Sequence, residues 1–462
     1  NISDYLKYGQ TNIITVVVNA SENKNIPPFG NFLDSLAYGG IYRDVYLEIT
    51  DKEKIEDFFI RTPNINDSIT AYCDITVTYT PVEIVLTVYD GENTLSVNKY
   101  NVNREKETLD FDVKNKENWT PENPKLYNIN IKMFQEKKLL DEVNGRFGFR
   151  EISAEKDGFY LNGKKITLIG LNRHGSYPYQ GIAVTKSMEY KDADILKTEL
   201  GVNCVRSAHI PFSRNFLDAC DEKGILVIEE IPGWNHFGNE EFHKNTKQNI
   251  RSMILRDRNH PSIIMWSVRV SGAVDNFKLF NDTNEIAKNL DPTRLTFGAK
   301  SIKNGDIVED VYGYNFYQDI YKKINIKPKR PNFMIAEHTG HMFPTKIYDD
   351  ESKRLKQALT HLKCIDYTLG NENIFGTIGY SMTDYNTHAN FGSSDKICYS
   401  GVLDMFRNPK YAQSAYQSQC NDNTVMQLAS SGSRGDYLNS KMDEMYIFCL
   451  LYTSDAGRRI ER

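Results

Sequence analysis

The chain has 462 residues, with 56 Lys and Arg against 61 Asp and Glu, and a formal net charge of −5. This balance gives no basic footprint for nucleic acid or an anionic membrane, and no run of 18 apolar residues is present to span a bilayer. A 40% hydrophobic and 25% charged composition is that of a globular chain with room for about two to four domains.

The seven cysteines (Cys73, Cys204, Cys220, Cys364, Cys398, Cys420 and Cys449) are scattered, without CxxC or zinc spacing, and read as reduced or buried thiols. The opening stretch, NISDYLKYGQTNIITVVV, already lies inside a strand pattern. It reads as a chain met past its true N-terminus, so both a cytoplasmic and an exported protein stay open.

From residue 11 to about 150, short alternating runs such as TNIITVVVNA, DVYLEIT, SITAYCDITVTYT, EIVLTVYD and YNINIKMF are broken by Gly, Asn, Asp and Pro. They predict two β-sandwich units, parted near residues 49–56. After GRFGFREI (145–152), apolar strand-like runs alternate with helical-period segments. Eight strand candidates, each followed by a helix or loop, predict a parallel (β/α)8 barrel over 151–419, with an open doubly wound sheet as the alternative. No G-x-G-x-x-G follows the first of them, which weakens a dinucleotide-binding version of that alternative. Beyond Gln419 the alternation stops, and residues 420–462 read as an irregular tail of doubtful native character.

In a parallel barrel, chemistry sits at the C-terminal strand ends. Those positions hold Asn172, Arg173 and His174; Arg206 and His209; Glu229 and Glu230; Asn315 and Tyr317; Glu337 and His338; then Asp384, Tyr385, Asn386 and His388. Singly, each has an ordinary reading as a satisfied core histidine or a rim ion pair. Together they line a polar pocket suited to a polyhydroxylated ligand. Glu229 and Glu230 are adjacent, so one of them must point away from the barrel axis.

These residues resemble glycoside hydrolase family 2, the β-galactosidase and β-glucuronidase group. GGIYRDVYL (39–47) is similar to the end of that family's jelly-roll sugar-binding domain, and GRFGFREI to its junction from immunoglobulin-like domain to barrel. LNRHG, NCVRSAHIP, DEKGILVIEEIPGW, RDRNHPSIIMW and AEHTGHMFPTK resemble successive barrel motifs. The resemblance implies a partial jelly roll over 1–50, an immunoglobulin-like sandwich over 51–150 and a TIM barrel over 151–419. It makes Glu337 the nucleophile and Tyr317 its supporting tyrosine. Asn172, Arg173, His174, Arg206, His209, Ser271, Tyr380 and His388 become the substrate-binding positions. The implied partner is a β-linked saccharide, most plausibly a galactoside, because CYS (398–400) stands where glucuronidases carry N-x-K. Some members bind Mg²⁺ or Na⁺, but the sequence assigns no ligands for either. A homo-oligomer is left open.

One motif departs from the family. The acid/base Glu and the Asn before it belong to patterns such as W-G-V-R-I-N-E-S, and this chain has WSVRVSGA. Ser271 replaces Asn and Gly272 replaces Glu, while Tyr380 replaces the eighth-strand Trp. A retaining glycosidase needs two carboxyl groups, one as nucleophile and one as proton donor. Glycine cannot donate. The nearest spare acids are Asp275, Glu229 and Glu230. Two expectations follow: an impaired β-glycosidase, or a glycoside-binding pseudo-enzyme.

Overall fold

The computed structural model describes residues 2–28, 35–36, 38–63, 71–303, 305–317, 324, 326, 328, 330–340, 343–388, 395–420, 426–429 and 446–449. Among the described residues up to 50, the only regular element is a 3₁₀ turn at Ser3–Tyr5. This corrects the strand reading of TNIITVVVNA and DVYLEIT. Val17, Val45 and Ile49 are 89%, 78% and 88% exposed. A β-prone run becomes a strand only when a neighbour satisfies its backbone N–H and C=O groups, and none does so here. The segment instead lies against the barrel mouth, where Arg43 reaches the Pro211 carbonyl and Asn245 Nδ2 donates to the Asn25 carbonyl.

The sandwich has strands β1 (Ile55–Arg61), β2 (Ala71–Val77), β3 (Val82–Asp90), β4 (Asn93–Val102), β5 (Lys106–Phe111), β6 (Tyr127–Gln135) and β7 (Lys138–Phe147). They pair antiparallel as β1-β2-β5 and β4-β3-β6-β7. Alternation buries Ile84, Leu86 and Val88 of β3 beside Ile129, Ile131 and Met133 of β6. They join Cys73, Ile75, Leu109 and Phe111 of the facing sheet in one core. Each large side chain removed from water contributes about 1.5–3 kcal/mol.

A small antiparallel sheet follows, β8 (Ile152–Glu155), β9 (Gly158–Leu161) and β10 (Lys164–Ile166). Phe159 and Leu161 of β9 join the core inside the barrel. The barrel strands are β11 (Leu168–Arg173), β12 (Cys204–Ser207), β13 (Leu226–Glu230), β14 (Ile263–Ser267), β15 (Leu295–Lys300), β16 (Val311–Phe316), β17 (Phe333–His338) and β18 (Ile374–Gly379). All pair parallel, and β11 against β18 closes the ring. Helices α1 (Lys186–Asp194), α2 (Arg214–Lys223), α3 (Glu240–Asp257), α4 (Phe277–Leu290), α5 (Glu351–Leu369) and α6 (Tyr411–Cys420) pack outside. The eight strands read from the sequence are thus a closed barrel and not an open sheet.

The sandwich is fastened to the barrel by buried polar groups. Arg150 donates to the Pro261 and Ile263 carbonyls and Trp119 Nε1 donates to the Asp221 carbonyl, while on the barrel side His260 Nδ1 lies 2.6 Å from Asp221 Oδ2. Gly224 ends α2 at φ +70°, where an added Cβ would lie 2.3 Å from the Pro121 carbonyl oxygen. Past Gln419 the tail is not wholly irregular. Met426–Ala429 pairs antiparallel with Tyr446–Cys449, and Phe448 is buried in the outer barrel core. The rest of the tail lies outside the described residues.

Candidate active site

On β11 the apolar side chains alternate. Leu168 faces the barrel interior, while Ile169 and Leu171 face the helices. Asn172 therefore points inward and Arg173 outward. Asn172 Nδ2 donates to the Ala336 and Gly379 carbonyls, and its Oδ1 accepts from Arg206 at 3.0 Å. Arg173 instead pairs with Glu189 at 2.6 Å and Asp192 at 2.7 Å on α1. Burial alone would lower its pKa, but those two carboxylates hold it above the usual guanidinium value. Its expected place at the sugar is corrected: strand alternation turns it to the wall side.

The same rule separates the adjacent acids on β13. Glu230 faces inward with Leu226 and Ile228. Its carboxylate accepts from Arg206 at 2.5 Å, from Ser267 at 2.8 Å, and lies 2.7 Å from His209 Nδ1. Burial pushes its pKa up, but Arg206 and His209 more than offset this and keep it below the ordinary value. Glu229 faces outward beside Asp257 and Arg256, and burial with the Asp257 charge pushes its carboxyl well up.

On β17, Met334 and Ala336 face inward and Ile335 outward. Strict alternation would send His338 into the barrel. The ladder to β16 slips one residue between Tyr314↔Ile335 and Asn315↔Glu337. This bulge turns Glu337 inward and leaves His338 on the helix side, next to His361 of α5. Burial drives the His338 imidazole down to about 3. Glu337 Oε1 accepts from Arg206 at 2.8 Å, its Oε2 accepts from the Tyr317 hydroxyl, and His209 Nε2 stands 3.8 Å from Oε1. Arg206 is fully buried; burial would lower its pKa, and Glu230 with Glu337 raises it instead.

A second cluster adjoins His209. His174 Nε2 lies 2.7 Å from the Tyr380 hydroxyl, and its ring stacks on Tyr385 at 3.9 Å between centroids. Burial, then the neighbouring His209, Arg173 and Arg206, hold His174 neutral, well below the ordinary histidine value. His174, His209, Trp234 and Tyr385 border a cavity of about 510 Å³, whose opposite wall includes Asn19, Tyr38, Tyr42 and Arg43 of the N-terminal segment. Glu337 lies one layer behind His209.

Ser271 Oγ accepts from Arg206 at 3.2 Å. Gly272, next along, has φ +67°, and an added Cβ would lie 2.3 Å from Asn235 Oδ1. Asp275 supplies no replacement acid there, since it is held by Lys300 at 2.5 Å and Arg269 at 3.1 Å. His388 lies 4.0 Å from Glu22 of the N-terminal segment, an ion pair away from the Arg206–Glu337 cluster. This loop position follows the strand end by too many residues for alternation to aim it.

The structure thus gathers Asn172, Arg206, His209, Ser271, Tyr317 and Glu337, with His174 and Tyr380 adjoining. Sequence reasoning left Glu230 out of the binding set because it could not say which of two acids faced inward. Asn235 was missed altogether, and no sequence signal marked it.

The mouth shows no set of metal ligands among the described residues. Among the described residues a convergent trio, Asp218, Asp221 and His260, lies instead at the sandwich junction, where Arg146 is 2.8 Å from Asp218 and 3.9 Å from Asp221.

Two sequence comparisons match this architecture. Residues 53–150 match "Glycosyl hydrolases family 2" and residues 152–342 match "Glycosyl hydrolases family 2, TIM barrel domain". A β-galactosidase of Thermoanaerobacterium thermosulfurigenes is 42% identical over 434 residues, covering 89% of this chain and 60% of its own length. Another, from Thermoanaerobacter pseudethanolicus, is 41% identical, covering 91% and 58%. The chain thus spans about three-fifths of the length of these relatives. Among solved structures, a GH2 β-galacturonidase from Eisenbergiella tayi superposes with a TM-score of 0.74 at 24% identity, over 87% of this chain and 77% of that one, a likeness of fold alone. With both domain matches in sequence order and the inward carboxylate on the seventh barrel strand, the chain belongs to glycoside hydrolase family 2.

Proposed function

We propose that this chain acts on β-glycosides, specifically β-galactosides, by a retaining mechanism in which Glu337 is the nucleophile. The observation that carries this reading is the Glu337 carboxylate, buried at the end of β17 between the Arg206 guanidinium and the Tyr317 hydroxyl. Both groups hold one oxygen each and fix the direction of attack. Preorganised donors of this kind need no rearrangement as the reaction proceeds. Asn172 and Glu230 orient Arg206, and His174, His209 and Tyr380 supply directional contacts for sugar hydroxyls. Two sequence relatives named β-galactosidases support the sugar class, as does the absence of N-x-K at 398–400.

The missing carboxyl at Gly272 limits the reaction. General acid–base help is typically worth about 10²–10⁴-fold, so disaccharides should be cleaved slowly. The test is a 2-deoxy-2-fluoro-β-galactoside with a dinitrophenyl leaving group. A stoichiometric glycosyl adduct on the peptide carrying Glu337 is expected, and an adduct elsewhere, or none, overturns the assignment. A second reading, a glycoside-binding chain without turnover, is favoured by the left-handed backbone at Gly272. It predicts saturable sugar binding with no adduct.

A further inference from the structure

The place vacated at the end of β14 is not open solvent. A Cβ on Gly272 would fall 2.3 Å from Asn235 Oδ1 and 3.9 Å from Trp234 Nε1. The loop carrying both is locked to this strand end: Trp234 bridges Ser271, and Asn235 N–H donates to the Ser271 carbonyl at 2.8 Å. Asn235 itself sits at φ +55°, a conformation that Asn tolerates better than most residues. Its side-chain amide is exposed and makes no hydrogen bond with the described residues. It stands next to Ser271, which is joined through Arg206 to Glu337. An unpartnered amide therefore occupies the ground where a carboxyl would face the departing oxygen.

Resting on the retaining reading above, we propose that Asn235 contacts the leaving group, and that the substrates are β-glycosides whose aglycone departs as a stable anion, such as phenols or carboxylic acids with pKa below about 7. An amide N–H hydrogen-bonds an oxyanion but transfers no proton at neutral pH. In the first step a Glu337 oxygen bonds to the anomeric carbon and the aglycone bond breaks. The aglycone oxygen keeps the electron pair and accepts a hydrogen bond from Asn235 Nδ2, which a half-turn of the unbonded amide brings to the place that Oδ1 faces. In the second step an acceptor attacks the same carbon and the Glu337 ester bond breaks, which regenerates the carboxylate. Water as acceptor releases its proton to solvent. A small anion such as azide needs no base and leaves as the β-glycosyl azide.

The experiment uses the whole chain with aryl β-galactosides whose leaving-group pKa runs from about 4 to 10, with lactose as the unactivated end. The parent should lose activity steeply along the series, and azide should speed turnover at the acidic end. Asn235→Asp places a carboxyl at the same point with nearly the same volume. It should raise lactose hydrolysis by on the order of 10²-fold, the lower range of general acid catalysis, and flatten the series. Asn235→Ala should slow the acidic substrates by about tenfold, the worth of one hydrogen bond. A flat series in the parent overturns the proposal without any variant. Silence of both Asn235 variants, while Glu337 still forms its adduct, overturns it too. Loss of the adduct in the parent instead overturns the retaining reading beneath it.

Discussion

The ends of β17 and β14 are joined through Arg206, which donates to Glu337 and to Ser271, and are built in opposite ways. At β17 the carboxylate of Glu337 is 1% exposed and held on both oxygens by Arg206 and Tyr317. Arg206 is itself fixed by Glu230 and Asn172. At β14 the corresponding position is a glycine in the left-handed region, facing an exposed amide. One side keeps every support a charged nucleophile needs. The other has no carboxyl at position 272, and the nearby Asp275 is held by Lys300 and Arg269. The contrast teaches that the two halves of a glycosidase site are energetically separable. A nucleophile buried in an ion-pair network is tied to folding, because removing one partner leaves an uncompensated buried charge. A proton donor on the rim can be lost with little effect on stability.

The largest effect should come from Glu337→Gln. It keeps the hydrogen-bonding shape but removes the charge, and should lower turnover of a dinitrophenyl β-galactoside by about 10⁴–10⁶-fold, as loss of a nucleophile does elsewhere. Steady-state rates check this, and a modest loss would place the nucleophile elsewhere. Next, Arg206→Ala should cost about 3–5 kcal/mol of stability, since the buried Glu230 and Glu337 carboxylates would both lose the guanidinium that compensates their charge. Denaturant titration measures it. Gly272→Ala should cost no more than the left-handed backbone demands, about 1–2 kcal/mol. Equal losses at the two positions would erase the contrast between the two ends.

Rebuilding the donor sharpens the comparison further. Restoring the family's residue types by Gly272→Glu with Ser271→Asn meets a strained position, because residue 272 has φ +67° and Asn235 fills the space. Gly272→Glu with Ser271→Asn should gain less than about tenfold on lactose, whereas adding Asn235→Gly should bring the gain to on the order of 10²-fold. The smallest effect lies away from both ends, at the junction with the sandwich. Burial alone would lower the His260 pKa, but Asp221 at 2.6 Å raises it above the ordinary value. A raised folded pKa stabilises fully below the unfolded value of about 6.5 and is lost as pH rises through the folded value. Stability should therefore decline above pH ~6.5, and His260→Gln should remove that slope, as melting curves across pH will test.

The barrel was legible in the sequence because eight apolar runs alternate with helical-period segments, and that rhythm follows from local periodicity. Glu337, Arg206 and Asn172 were legible because strand ends in a barrel share one mouth. Arg173 was misjudged, since two adjacent strand residues look alike in a string while facing opposite sides of the wall. The runs TNIITVVVNA and DVYLEIT were misjudged as strands for another reason: their composition is that of strands, but pairing depends on a neighbour that composition does not supply.

The sequence by itself determined the order of elements, the polar character of the mouth and the absence of a carboxyl at position 272, since each is a property of residue type and spacing. Tertiary structure alone decided which side chains enter the site. On β17 the apolar period points His338 inward, and only the one-residue slip against β16 turns Glu337 to the axis instead. Such a slip arises from hydrogen-bond register between two strands about 20 residues apart in sequence. Asn235 reaches Gly272 for the same kind of reason. It lies on a loop after a different strand, and only the bridge between Trp234 and Ser271 brings its amide to the vacant place.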